Sequence, residues 1–125
     1  MTIGEKDLLF KDLCARLPYG VIVNVNGFDY DYNDKLTQIY NGYGCSIQVT
    51  TNMPYDIEQV KPYLFPLSSM TDKQKDEYQY ITERWMNDPA YSISDSVDWL
   101  NENHFDYRGL IEKRLAMDAT GLNIY

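Results

Sequence analysis

The chain has 125 residues, 44% of them apolar and 14% aromatic, and a formal net charge of −8. This length suits one domain that buries a modest core without staples, and the apolar share excludes a disordered tail. The negative charge excludes a protein that follows a nucleic-acid backbone along a basic face.

Thr2 and Glu5 have the spacing of a capping box, which starts a helix. Leu8, Leu9, Leu13, Cys14 and Leu17 then recur at helical spacing on one face, and Asp7, Lys11, Asp12 and Arg16 take much of the other. Pro18-Tyr19-Gly20 stops this helix. Gly20 to Val25 is rich in β-branched residues and reads as a strand. Asn26-Gly27 follows, a strong hairpin signal because both residues tolerate positive φ. Phe28, Tyr30 and Tyr32 alternate with Asp29, Asp31 and Asn33, giving one aromatic and one acidic face. Asn33-Asp34 turns the chain again, Leu36 to Tyr40 is a third strand, Asn41-Gly42 a further turn, and Cys45 to Thr50 a fourth strand. These closely spaced turns predict an antiparallel meander.

Asn52-Met53-Pro54 reads as a loop. Ile57, Val60, Tyr63 and Leu64 supply a short strand or one helical turn. Pro62 and Pro66 force an extended path, so residues 61–71 form a seam between the meander and a helical second half. Thr71 and Gln74 make a second capping box, and Tyr78, Ile81 and Trp85 line one face of the helix that follows. Asn87-Asp88-Pro89 ends it. Ser94 is the expected N-cap of the next helix, which turns Val97, Trp99 and Leu100 inward and ends at Asn103-His104. Phe105 to Gly109 reads as a turn and Leu110 to Met117 as a short final helix closed by Thr120-Gly121. Leu122, Ile124 and Tyr125 form an apolar tail expected to dock on the body.

The charge is uneven. Between Asp76 and Asp106 eight acids stand against the single Arg84. Such a face is a solvated surface, a dock for a basic protein, or an imitation of a phosphate backbone. The twelve tyrosines suit a thin core with wet hydroxyls, or a tyrosine-lined binding face. Cys14 and Cys45 read as reduced core residues. No basic stretch leads an apolar run at the N-terminus, and no apolar run is long enough for a bilayer. The expected setting is cytoplasmic, with no membrane contact.

Asp29, Asp31 and Asn33 match the first ligand positions of an EF-hand loop. Asp34 stands where that loop needs Gly, and Tyr40 where it needs Glu. No metal site and no cofactor are expected. His104 is the only histidine, a helix-terminal residue in the plain reading and one half of a Cys–His pair in the catalytic one. Asp106, Tyr107 and Arg108 place an acid, a phenol and a guanidinium beside it. With His104 they make a candidate ligand-binding group; the structural alternative is a cap with an Asp–Arg pair fixing the turn. No catalytic residue is assigned.

Residues 61–71 (Lys61 through Thr71), residues 98–101, and residues 104–111 (His104 through Ile111) resemble small proteins of gut bacteria and their phages or mobile elements. Residues 7–20 resemble the same group. The meander from Val21 to Asp56 lies outside the resemblance. These motifs carry no known activity, so the resemblance implies a cytoplasmic, phage- or prophage-encoded protein and transfers no site residue.

The expected fold is a single α+β domain over residues 1–125: an N-terminal helix, an antiparallel meander of about four strands, then two or three helices. The leading functional expectation is a non-enzymatic protein-binding or adaptor domain with a protein partner and no nucleic acid. The alternatives are a regulatory or anti-defence factor acting by acidic mimicry, and a small ligand-binding enzyme with a site around His104, Asp106, Tyr107 and Arg108. Oligomeric state is not readable from the sequence.

Overall fold

The computed structural model describes residues 1–26, 31–41, 47–50, 54–87 and 93–125. It is an α+β fold of three helices and eight short strands among these residues. Helix α1 (Ile3–Arg16) opens on the Thr2/Glu5 capping box, with both reciprocal hydrogen bonds made. A 3-10 turn at Leu17–Tyr19 and a left-handed Gly20 (φ 69°) redirect the chain into β1 (Ile22–Asn26).

Strand β1 pairs antiparallel with β2 (Asp31–Lys35). The turn residue Gly27 and Asp29 of the EF-hand-like stretch lie outside the described residues. Asn33 and Asp34 are not a turn: both are paired inside β2, opposite Asn24 and Val23. The break between β2 and the next strand falls instead at Leu36 and Thr37, and Leu36 is buried in the core. Strands β3 (Gln38–Asn41), β4 (Ile47–Thr50) and β5 (Pro54–Asp56) form a separate antiparallel sheet. Thus the expected meander is split between two sheets. Gly42, Cys45, Asn52 and Met53 lie outside the described residues, as do Asp88 and Pro89.

The seam is extended, as its prolines imply, and it is a strand of the larger sheet. After a 3-10 turn at Ile57–Gln59, residues Val60–Pro66 form β6, which is flanked on both sides. It pairs antiparallel with β1, and parallel with β7 (Phe105–Asp106) and β8 (Met117–Asp118). Pro62 ends the β1 pairing and Pro66 ends the β7 pairing. A residue with no N–H is tolerated at such ends. Strand alternation sends Val60 and Leu64 to one face and Phe65 to the other. The first face packs with Leu9 and Leu13 of α1, Val21, Val23 and Val25 in one core; Phe65 packs with Trp99, Leu100 and Phe105 in a second.

Helix α2 (Asp72–Asn87) follows the Thr71/Gln74 box, whose two hydrogen bonds are both present. Helix α3 (Ile93–Glu102) begins before Ser94, which lies in its first turn and is not the N-cap. There is no final helix at Leu110–Met117: residues 110–116 are a series of turns and bends that leads into β8. Gly109 (φ 74°) and Arg114 (φ 61°) hold left-handed conformations that break a helical run. The Asp106 carboxylate takes the N–H groups of Leu110 and Ile111. The following strap, residues 119–125, does dock on the body. Ala119 N–H bonds the Leu64 carbonyl, and the Tyr125 hydroxyl reaches both β1 and β6.

Candidate functional site

Leu9, Asp12, Leu13 and Arg16 fall at successive intervals of three, one and three residues, so they share one face of α1. That face is buried. Asp12 and Arg16, expected on the solvent side, are both 0% exposed. Arg16 Nε donates to Asp12 Oδ2 at 2.8 Å, and Arg16 Nη2 donates to the Phe105 carbonyl at 2.6 Å. The second Asp12 oxygen accepts from Arg108 Nε at 3.2 Å. One carboxylate therefore serves two guanidinium groups, from opposite ends of the sequence.

Tyr107 is the floor of this cluster. Both guanidinium groups lie over its ring, Arg16 at 5.3 Å and Arg108 at 4.9 Å from the centroid. Such contacts offset part of the cost of burying a cation. The Tyr107 hydroxyl accepts from Arg108 Nη2 at 3.1 Å and donates to Asn101 Oδ1 at 2.8 Å. Asn101 is itself buried at the end of α3.

The four candidate residues divide. Tyr107 and Arg108 are joined to each other and to Asp12. Asp106 turns away: its oxygens are 3.0 Å from Leu110 N and 2.9 Å from Ile111 N, a cap that fixes the next turn. The Asp–Arg pair of the structural alternative exists, but its acid is Asp12, not Asp106. His104 ends α3 with φ 62° and stacks on Tyr125, centroids 3.6 Å apart and planes 10° apart. Burial, then the charge of Arg16, push its imidazole from 6.5 down to about 4. Its place just after α3 fits the helix-terminal reading, and the depressed value leaves the imidazole neutral near pH 7.

Two buried polar atoms have no hydrogen-bond partner among the described residues, Arg16 Nη1 and His104 Nδ1. Tyr125 is 45% exposed as a whole residue. Its hydroxyl, clamped between backbone groups, is pushed up to about 12, first by loss of water. Sequence reasoning missed Asp12, Arg16, Asn101 and Tyr125 as members of this cluster. The signal for the first two was their spacing from Leu9.

Cys14 is exposed, contrary to the buried-stripe expectation. It lines an open cleft of about 300 Å³ with Phe10, Leu17, Ile39 and Tyr40. A second cleft of about 220 Å³ lies between α2 and α3, where Asp95, Asp98 and Glu102 stand beside Trp99, Ile81 and Arg84. Asp31 and Asn33 of the EF-hand-like stretch lie on β2, and the Asn33 amide oxygen accepts from Asn24 Nδ2 and from the Tyr63 hydroxyl. Among the described residues no group of three or more His, Cys, Asp or Glu could hold a metal ion. No helix among them is long and apolar enough to cross a membrane.

Fold and cluster together define an α+β domain with an ion cluster buried between its first helix and the turn after its third. Compared with family models, curated proteins and solved structures, the chain matches none.

Proposed function

We propose that the protein is a non-enzymatic binding domain that docks a basic segment of a protein partner in the cleft between α2 and α3. The observation that carries this reading is the row Asp95, Asp98 and Glu102. Helical spacing puts all three on one side of α3, along a cleft with Trp99 and Ile81 in its wall. An aromatic wall beside carboxylates suits a lysine or arginine side chain, whose stem is apolar and whose head is charged. The field of this row reaches Tyr19: its phenol is pushed above the ordinary value by lost hydration, then by Asp98 and Glu102. The quartet at His104–Arg108 supports an enzyme less well, because Asp106 already accepts two backbone N–H groups and Arg108 is tied to Asp12 and Tyr107.

The test is calorimetric titration with a short Lys/Arg-rich peptide and with an acidic peptide of equal length. Binding of the basic peptide alone is expected, weakening as salt rises and screening shortens the field. Asp98→Lys with Glu102→Lys should abolish it while the circular dichroism spectrum is kept. No binding, or binding indifferent to those two changes, removes the reading. Displacement of a bound DNA-binding domain from duplex DNA would instead favour acidic mimicry by a phage- or mobile-element-encoded regulator.

A further inference from the structure

His104 and Tyr125 meet where three parts of the chain converge. The imidazole closes α3, the Tyr125 ring lies flat on it and against Phe65, and the Arg16 guanidinium comes from α1. The Tyr125 hydroxyl accepts from Ile22 N–H at 3.0 Å and donates to the Tyr63 carbonyl at 2.8 Å. One side chain thus ties the strap to both β1 and β6. Nearby, Arg16 Nη1 and His104 Nδ1 are buried with no partner among the described residues. Neutral imidazole offers an acceptor beside this donor-only guanidinium; an imidazolium offers a second donor and a second positive charge.

We propose that this contact is an acid-released latch, in which protonation of His104 sets like charges against each other and frees residues 119–125 from β1 and β6. The groups around His104 agree with that direction. Helix α1 contributes Arg16, already bonded to Asp12. Strand β6 contributes Phe65, whose N–H holds the His104 carbonyl. The strap contributes the Tyr125 phenol. Of the acids closest in sequence, Asp106 is occupied by Leu110 and Ile111, and Glu102 lies on the α2/α3 cleft. Among the described residues His104 Nδ1 has no hydrogen-bond partner, and the charge that acts on the imidazole is that of Arg16.

The sign follows from linkage. In the closed form burial, then Arg16, hold the imidazole down to about 4; lifting the Tyr125 ring off it restores part of its hydration and raises it from there. The open form therefore binds the proton first. Its population relative to the closed form rises as pH falls through the interval between the two values, by up to about tenfold per pH unit. Opening bares the Phe65 ring and releases the Ile22 amide.

Hydrogen exchange followed by NMR tests this, because the Ile22 N–H is held by the Tyr125 hydroxyl. After correction for intrinsic rates, opening at Ile22 and across residues 119–125 should rise between about pH 7.5 and pH 5, by at most roughly thirtyfold. Val23 and Val25, inside β1, should keep their protection. His104→Asn, which tolerates a left-handed backbone, should remove the pH dependence. Tyr125→Phe should leave Ile22 fast at both pH values. Ile22 exchange insensitive to pH, pH dependence unchanged in His104→Asn, or slow Ile22 exchange in Tyr125→Phe would each overturn the latch. Because His104 is the only histidine, its ring signal gives an independent check on the unmodified protein. A titration midpoint near 6.5 with the strap still protected would also overturn it.

Discussion

Asp12 is the residue on which the buried cluster depends. Its two oxygens hold Arg16 and Arg108, and Arg16 has no water to fall back on. Removing one partner of a buried pair leaves an uncompensated charge, which costs about 3–5 kcal/mol. Asp12→Ala should therefore lower stability by that order in a urea melt, whereas Arg108→Ala, at the wetter edge, should cost clearly less. Equal losses would show that Asp12 contributes no more than the outer pair. His104 gives a pH prediction at the same scale. Its folded-state pKa is depressed by burial and by Arg16, so the unfolded chain takes up the proton first. Stability should be complete above about pH 6.5 and decline as pH falls toward about 4. Denaturant midpoints measured across that range should fall less steeply in His104→Asn. The cluster was only half legible in the sequence. Tyr107 and Arg108 drew notice as neighbours, but their acid comes from α1, and proximity in sequence pointed wrongly to Asp106. Asp12 and Arg16 were hidden because charged side chains on a helix are ordinarily solvated.

At the scale of elements, local signals were read well where the partners are close in sequence. Both capping boxes form as their spacing implies. Thr71→Ala should cost about 1 kcal/mol through loss of the side-chain acceptor for Gln74 N–H. Thermal melts of Thr71→Ala and Thr71→Ser decide it: the serine variant should keep most of the stability, and equal losses would rule out capping as the cause. The antiparallel pairings β1–β2 and β3–β4 were legible because alternation acts over a few positions, whereas the Asn33-Asp34 turn was not there. The final helix failed because Leu110 and Leu115 are core residues in either conformation, so their spacing did not discriminate. What decides it is backbone: Gly109 and Arg114 are both left-handed.

For the whole molecule, net charge governs encounters at a distance. At −8, and with eight acids against one cation from Asp76 to Asp106, approach to a polyanion is repelled over about 8 Å at physiological salt. Fluorescence anisotropy against duplex DNA, single-stranded DNA and RNA should show no sub-micromolar binding, and none that tightens as salt is lowered. The opposite trend, characteristic of counterion release, would refute this and weaken the protein-docking reading. The α+β class was readable at this scale, but the connection between halves was not. Residues 61–71 read as a divider because Pro62 and Pro66 force an extended path between strand-like and helical halves. Their real role depends on strands that no nearby residue announces.

That central position of β6 carries a kinetic consequence. Val25 pairs with Val60, Phe65 with Phe105, and Tyr63 with Met117, so every neighbour of this strand is distant along the chain. Loop-closure entropy must be met before those pairings reward it, which slows folding and ties the two halves into one cooperative transition. Until the segment from Phe105 to Asp118 arrives, one edge of an apolar strand stands open to other chains. A fragment ending at Asn103 should therefore aggregate or remain unstructured by circular dichroism. A soluble fragment with a sharp thermal transition would show that β6 does not need its late partners.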